Sequence, residues 1–137
     1  MFVGDGGHAK FPIEVYEEIK AGTDNLADWV KEANVKAALL FAEEADVSLV
    51  ATVTDDGYAA DLTDIEIEKI GRDPFLISYG LVAIGQRCIV TTEASKPKAQ
   101  RANRRIPDVC DQFNIPRCNT FQFLRALTQP PQLGLGL

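Results

Sequence analysis

Asp73 and Glu93 are the residues of this 137-residue chain whose types and spacing most directly suggest chemistry. Asp73 opens the run Asp73-Pro74-Phe75-Leu76-Ile77, and Glu93 closes Thr91-Thr92-Glu93. An aspartate oxygen accepts from the orphan amides of a first helical turn, and proline suits the first helical position, so Asp73-Pro74 predicts a helix start with Asp73 as the cap. The apolar run from Phe75 to Ile84 meets Gly85, which takes the left-handed conformation that stops helices. Residues Arg87 to Thr92 then predict a buried parallel strand. Such a helix spans about 18 Å and such a strand about 20 Å. If the strand runs back along the helix, the two spans cancel and both carboxylates reach one edge of the sheet, where α/β folds hold ligands. Two carboxylates there suit a hard divalent cation. The plainer alternative makes Asp73 only a cap and Glu93 only a solvated loop residue, and spacing alone leaves both open.

A second cluster follows. Net charge is −6, which does not suggest a general nucleic-acid binder, yet residues 96–105 carry Lys96, Lys98, Arg101, Arg104 and Arg105 with no acidic residue. A basic loop beside an acidic edge would bring a phosphate backbone to a carboxylate-held metal. The alternative is a flexible, solvated loop.

Other chemistries find little support. Cys88, Cys110 and Cys118 form no Cys-x-x-Cys pair and cannot all pair within one chain, so reduced thiols are expected and a zinc site is not. His8 is the only histidine, and it lies in a Gly-rich stretch. Gly4-Asp5-Gly6-Gly7 resembles a phosphate loop only superficially, because the closing Gly-Lys-Ser/Thr is missing. Asp55 and Asp56 do not start a calcium loop, since the later acidic ligands fall at the wrong spacing.

These residues need a scaffold. The length suits one domain with a sizeable core. No run reaches the length of a membrane span and no leader pattern opens the chain, so a cytoplasmic protein is expected. The expected division is an irregular segment 1–11, one α/β domain over 12–128, and a loose tail 129–137. Pro12 opens a helix to Ala21, and Thr23 caps a second from Asp24 to about Ala33, with Trp29 on its apolar stripe. Val35 to Phe41 is ambiguous between helix and strand. Glu43 to Thr54 leans to helix, and Asp55-Asp56-Gly57 reads as a turn. Thr63 and Glu66 form a capping-box pattern for a helix ending near Gly71. Ile106 to Phe113 predicts a short helix with Pro107 in its first turn, Ile115 to Cys118 a short strand, and Asn119 the cap of a last helix.

The segments Pro12 to Ile19, Gly22 to Trp29, Asp73 to Ile77, Val90 to Glu93 and Ile106 to Cys110 together resemble the PIN-domain nucleases. They are most similar to a toxin-like subfamily that also carries the Ile-Pro-Asp-Val-Cys segment. The resemblance covers roughly residues 10–127. It implies a parallel α/β sheet flanked by helices. It also implies a carboxylate cluster holding Mg²⁺ or Mn²⁺ for phosphodiester hydrolysis, usually of RNA. Carried onto this chain, the metal-binding and catalytic residues are Glu18 (with Glu17 as the register alternative), Asp73 and Glu93. Thr91 and Thr92 match polar positions that flank the site. Lys96, Lys98, Arg101, Arg104 and Arg105 are the expected RNA contacts.

The resemblance has one departure. PIN domains begin with a strand ending in an aspartate, tens of residues before the helix glutamate, whereas only seventeen residues precede Glu18. The first strand and its aspartate are expected to be missing, and Asp5 is not given that role. An in-frame strand ending in Asp-x-Asn upstream of the start codon would supply them. A sheet without its central strand exposes edges, so a homodimer is expected. Three readings stay open. The first is a metal-dependent endoribonuclease of toxin type, held by an antitoxin protein. The second is a non-catalytic PIN-like module that binds RNA or protein. The third is an α/β interaction protein whose acidic edge is incidental.

Overall fold

The computed structural model describes residues 2–5, 8–10 and 43–119, together with Ile13, Glu17, Lys20, Ala21, Asp28 and Gln122. Ile13, Glu17 and Lys20 are helical, as is Asp28, in keeping with the helices expected there. The expectations for Trp29, for Val35 to Phe41, for the body of the last helix and for the tail 129–137 lie outside the described residues. The start of that last helix is in view. Gln122 donates its amide to Asn119 Oδ1 at 2.7 Å, and Asn119 donates its own to Gln122 Oε1 at 2.9 Å. This reciprocal pair satisfies two amides at a helix entry.

Helix α1 runs Val47–Thr52 and passes directly into a π-helical segment, Val53–Tyr58. The turn expected at Asp55-Asp56-Gly57 is therefore corrected to part of this wider helix. The i→i+5 hydrogen bond from Ala59 N to Thr54 O measures 3.0 Å. Such a turn leaves carbonyls to be satisfied from elsewhere, and the neighbouring chain supplies the donors. Gln112 Nε2 donates to Asp56 O at 2.8 Å, and Arg104 Nη1 donates to Gly57 O. Gly57 itself is needed for contact, because a Cβ there would lie 2.8 Å from Val109 Cγ1 and 3.1 Å from Phe113 Cε2.

Helix α2, Asp64–Ile70, starts at the expected capping box: Glu66 N donates to Thr63 Oγ1 and Thr63 N to Glu66 Oε1, both at 3.2 Å. It stops at Gly71, whose φ of 53° few other residues adopt without strain. Helix α3, Asp73–Val82, is the buried centre of the fold. Leu76, Ile77 and Tyr79 are fully enclosed, and Gly80 lets the helix approach the sheet at Ile89. Gly85, at φ 85°, turns the chain into strand β3, Arg87–Val90. A 3-10 turn, Arg101–Asn103, precedes α4, Ile106–Gln112, and β4, Arg117–Cys118. Val53, Ile70, Leu76, Ile77, Ile89, Ile106, Val109 and Ile115 make one core that joins these helices to one face of the sheet.

Within the segment 1–11, expected to be irregular, residues 2–5 and 8–10 are strands. Phe2–Asp5 forms β1 and His8–Lys10 forms β2, an antiparallel hairpin with Asp5 opposite His8. Only Gly6 and Gly7 separate them, a connection so short that the strands must run antiparallel. The sheet order is β2-β1-β3-β4. β3 and β4 are parallel, as expected, whereas β1 runs antiparallel to β3. The all-parallel sheet is thus corrected to a mixed one, and an N-terminal strand is present, with the opposite direction to that of the family resemblance. Direction decides what Asp5 can do. It pairs with Arg87 at the start of β3, about 10 Å of strand from Val90, and so lies away from the end that leads to Glu93.

Candidate functional site

The site begins with a shift of one residue. Arg72, not Asp73, occupies the cap position of α3, and Asp73 is its first helical residue. Pro74 still fits the first turn, and the acidic Asp73 still suits the positive end of the helix dipole. The capping role assigned to Asp73 is thereby corrected, and the residue instead lines a cavity of about 340 Å³. α3 and β3 run back against each other, so Glu93, three residues past β3, lines the same cavity. Lys69, Lys96, Arg104 and Arg105 complete its charged wall. The structure thus brings together Asp73, Glu93 and three of the five expected basic residues.

Each wall is held by identifiable bonds. Glu93 N donates to Thr91 Oγ1 at 3.1 Å, which explains why the buried Thr91 precedes the carboxylate. Glu93 Oε2 accepts from Ile106 N at 3.4 Å, at the start of α4. The loop after Glu93 is tied down by Asp108, only 9% exposed. Its Oδ2 accepts from Lys96 N at 2.7 Å and its Oδ1 from the Ser95 hydroxyl. Arg104 is partly consumed by structure, since it also donates to Gln112 Oε1 and to the carbonyl of Asp108. Arg105 differs: its Nε is buried without a hydrogen-bond partner among the described residues. Lys69 reaches across from α2 to Asn103 Oδ1.

Tyr58, only 6% exposed, belongs to the same electrostatic neighbourhood. Burial raises its pKa above the ordinary phenol value, and the negative charges of Asp73 and Glu93 add to the rise. Its hydroxyl stays protonated and lacks a hydrogen-bond partner among the described residues. Sequence reasoning missed both Tyr58 and Lys69. Tyr58 carried a weak signal, as an aromatic directly after Asp-Asp-Gly. Lys69 carried none, because it lies on a helix with no other candidate.

Arg101 and Lys98 stand apart. Lys98 is exposed in the loop and does not line the cavity. Arg101 donates from Nε and Nη2 to Glu66, at 3.0 and 2.9 Å, and from Nη1 to Asp61 at 2.8 Å. Its charge is spent fastening the 3-10 turn to α2. Those hydrogen bonds, with one from Thr63, hold the Glu66 carboxyl down to about 2, against an ordinary 4.5. A depressed carboxyl contributes stability above its unfolded pKa and loses it as pH falls through the folded one. Wild-type protein is therefore expected to lose melting temperature between pH 4.5 and 2 more steeply than Arg101→Gln. Parallel slopes in that window would remove the ion pairs from the account. The pairs are exposed, so the difference is expected to be modest.

Glu18 lies outside the described residues. Glu17 is an exposed helical residue paired to Lys20 at 3.3 Å. Among the described residues, no three His, Cys, Asp or Glu side chains gather as a metal-binding group. No helix of the described residues is long and apolar enough to cross a membrane.

Fold and cavity together define an α/β domain with two acidic and four basic side chains around one pocket. The chain belongs to the family described as Domain of unknown function (DUF4411), whose model matches residues 4–129. No curated protein and no solved structure matches the chain.

Proposed function

We propose that this chain is a PIN-like, metal-dependent endoribonuclease of toxin type, with Asp73 and Glu93 in its site and RNA as substrate. The observation that carries the reading is the shared cavity, where both carboxylates meet Lys69, Lys96, Arg104 and Arg105. The donor set fits Mg²⁺ or Mn²⁺, because hard cations take carboxylate oxygens and Mg²⁺ keeps several waters beside one or two of them. Asp73 and Glu93 would hold the ion, with Glu18 as the further ligand that the family resemblance implies. When bound, such an ion lowers the pKa of a water and offsets charge on phosphate oxygens. Lys69, Lys96 and Arg105 bind and orient the phosphate backbone. The hydrogen bond that Lys96 N donates to Asp108 Oδ2 fixes the backbone from which one of those charges extends. Under this reading an antitoxin protein and a second copy of the chain are the expected partners.

A second reading, a non-catalytic RNA-binding module, draws on two observations. No third ligand stands near Asp73 and Glu93 among the described residues, and Glu93 also serves the start of α4.

One experiment separates them. Structured RNA is incubated with the protein and Mn²⁺, with and without chelator, alongside Asp73→Asn and Glu93→Gln. The first reading expects chelator-sensitive cleavage that falls about 100-fold or more in Asp73→Asn, because losing a metal ligand costs at least as much as the roughly 10–100-fold lost with a group that only supports one. RNA retention without cleavage supports the second. Its log–log salt slope is expected near −2 if Lys69, Lys96 and Arg105 neutralise three phosphates, and Arg105→Ala should flatten it by about 0.7. Neither cleavage nor retention overturns both.

A further inference from the structure

We propose that Cys88 and Cys118 are an oxidisable pair, closing a reversible disulfide across β3 and β4 that fixes the segment carrying Glu93 and the basic residues. Both thiols are free and half-buried, on adjacent parallel strands. The Cys88 thiol donates to Cys118 Sγ with the sulfurs 3.2 Å apart. A disulfide needs about 2.0 Å, so the sulfurs must approach by roughly 1 Å. Because Val90 stands opposite Cys118, Cys88 meets it on the diagonal, and β4 must shift along β3 as the bond closes.

β4 is able to make that movement. It is two residues long and forms one edge of the described sheet. Its backbone bonds to β3 run from Ile89 N to Pro116 O at 2.9 Å and from Thr91 N to Cys118 O at 3.1 Å. The loop that the bond would close, 88–118, contains Glu93, Lys96, Arg104, Arg105 and Asp108. Asp73 and Lys69 lie outside it. Oxidation would therefore pin one wall of the cavity to the sheet while leaving the other on its helices.

The two sulfurs have different parts in the reaction. Cys118 lines a second cavity, about 240 Å³, together with Thr91 and Glu93, so a small disulfide can reach it. Cys88 is the poorer nucleophile, because burial and its hydrogen bond to Cys118 push its thiol up to about 12. With glutathione disulfide as oxidant, the Cys118 thiolate attacks one sulfur and expels a glutathione thiolate, leaving a mixed disulfide. Cys88 then gives its proton to that thiolate or to solvent and attacks the Cys118 sulfur, expelling the second glutathione. Two protein thiols are oxidised and one glutathione disulfide is reduced to two glutathiones. Cys110 provides an internal control, being fully buried in the core on α4.

The test uses the full chain, reduced and then treated with glutathione disulfide, and the three cysteines fall on separate tryptic peptides, 88–98, 106–117 and 118–125. The intact mass is expected to fall by two hydrogens, with 88–98 joined to 118–125 and Cys110 left as a thiol. Cys88→Ser should retain glutathione on Cys118, and Cys118→Ser should not react. Oxidised wild-type protein should melt roughly 5 °C or more above the reduced form, and dithiothreitol should reverse the shift. A stable glutathione adduct on wild-type protein, a cross-link through Cys110, three unreacted thiols, or equal melting of the two forms would each overturn the proposal.

Discussion

Gly80→Val is expected to destabilise the protein by about 3 kcal/mol, against about 1 kcal/mol for Gly80→Ala. The argument is steric. A Cβ at this position would lie 2.8 Å from Ile115 Cγ2 and 3.0 Å from both Cγ1 and Cδ1 of Ile89. Those atoms are not loose ends of long side chains. Ile89 and Ile115 are themselves buried, on β3 and just before β4, so neither can retreat without moving the strand that bears it. Alanine recovers about 1 kcal/mol of helix propensity over glycine, which offsets part of the cost of overpacking, typically about 1–3 kcal/mol. Valine adds two further methyls to the same gap and gains less from propensity. In urea unfolding the midpoint should fall in the order glycine, alanine, valine. A valine variant within a few tenths of a kcal/mol of wild type would mean that α3 does not approach the sheet as described.

Asp108→Ala is expected to cost about 2 kcal/mol, whereas Asp108→Asn should cost less than about 1 kcal/mol. The carboxylate is almost enclosed and accepts from both Lys96 N and the Ser95 hydroxyl. Hydrogen bonds to charged groups contribute about 1.5–3 kcal/mol each net of exchange with water. Lys96 is exposed enough for water to take over the bond its N–H loses, so the cost stays well below the sum of two. An asparagine keeps one oxygen for Lys96 N. Its amide group can then donate to Ser95, whose hydroxyl accepts as readily as it donates. Alanine offers neither. The same change frees the loop that carries Lys96, so trypsin should cut Asp108→Ala after Lys98 faster than wild type. Equal urea midpoints for the alanine and asparagine variants would show that the carboxylate is not what anchors this loop.

Local signals in the sequence carried much of the helical framework. Thr63 and Glu66, Gly71, Pro107 and the Asn119 cap all hold the positions expected of them, because each acts within three or four residues of itself, whereas the helix expected to run on to Gly85 ends at Val82. The same locality brought Asp73 and Glu93 to one cavity, since a helix and the strand that follows it need only a turn at 83–86 between them. What was not legible depended on distant partners. The π segment owes its satisfied carbonyls to Arg104 and Gln112, which lie some fifty residues onward in the chain. Arg101 read as one charge among five and is spent on Asp61 and Glu66, which seemed to belong to other elements. The N-terminal hairpin was overlooked for a different reason. Three glycines in eleven residues hid two short strands, although Gly6-Gly7 is itself a hairpin connection.

The π segment Val53–Tyr58 also bears on how the chain tolerates insertions and deletions. Its wider turn amounts to one residue more than an α-helix over the same length needs. Deleting Asp55 would remove that extra residue and leave a continuous α-helix whose two ends keep their places, whereas a deletion within α1 would rotate everything after it by about 100°. Gly57 would keep its close approach to Val109, and Tyr58 its place beside Asp73 and Glu93. A single codon lost here is absorbed by the helix, and one lost a turn earlier is not.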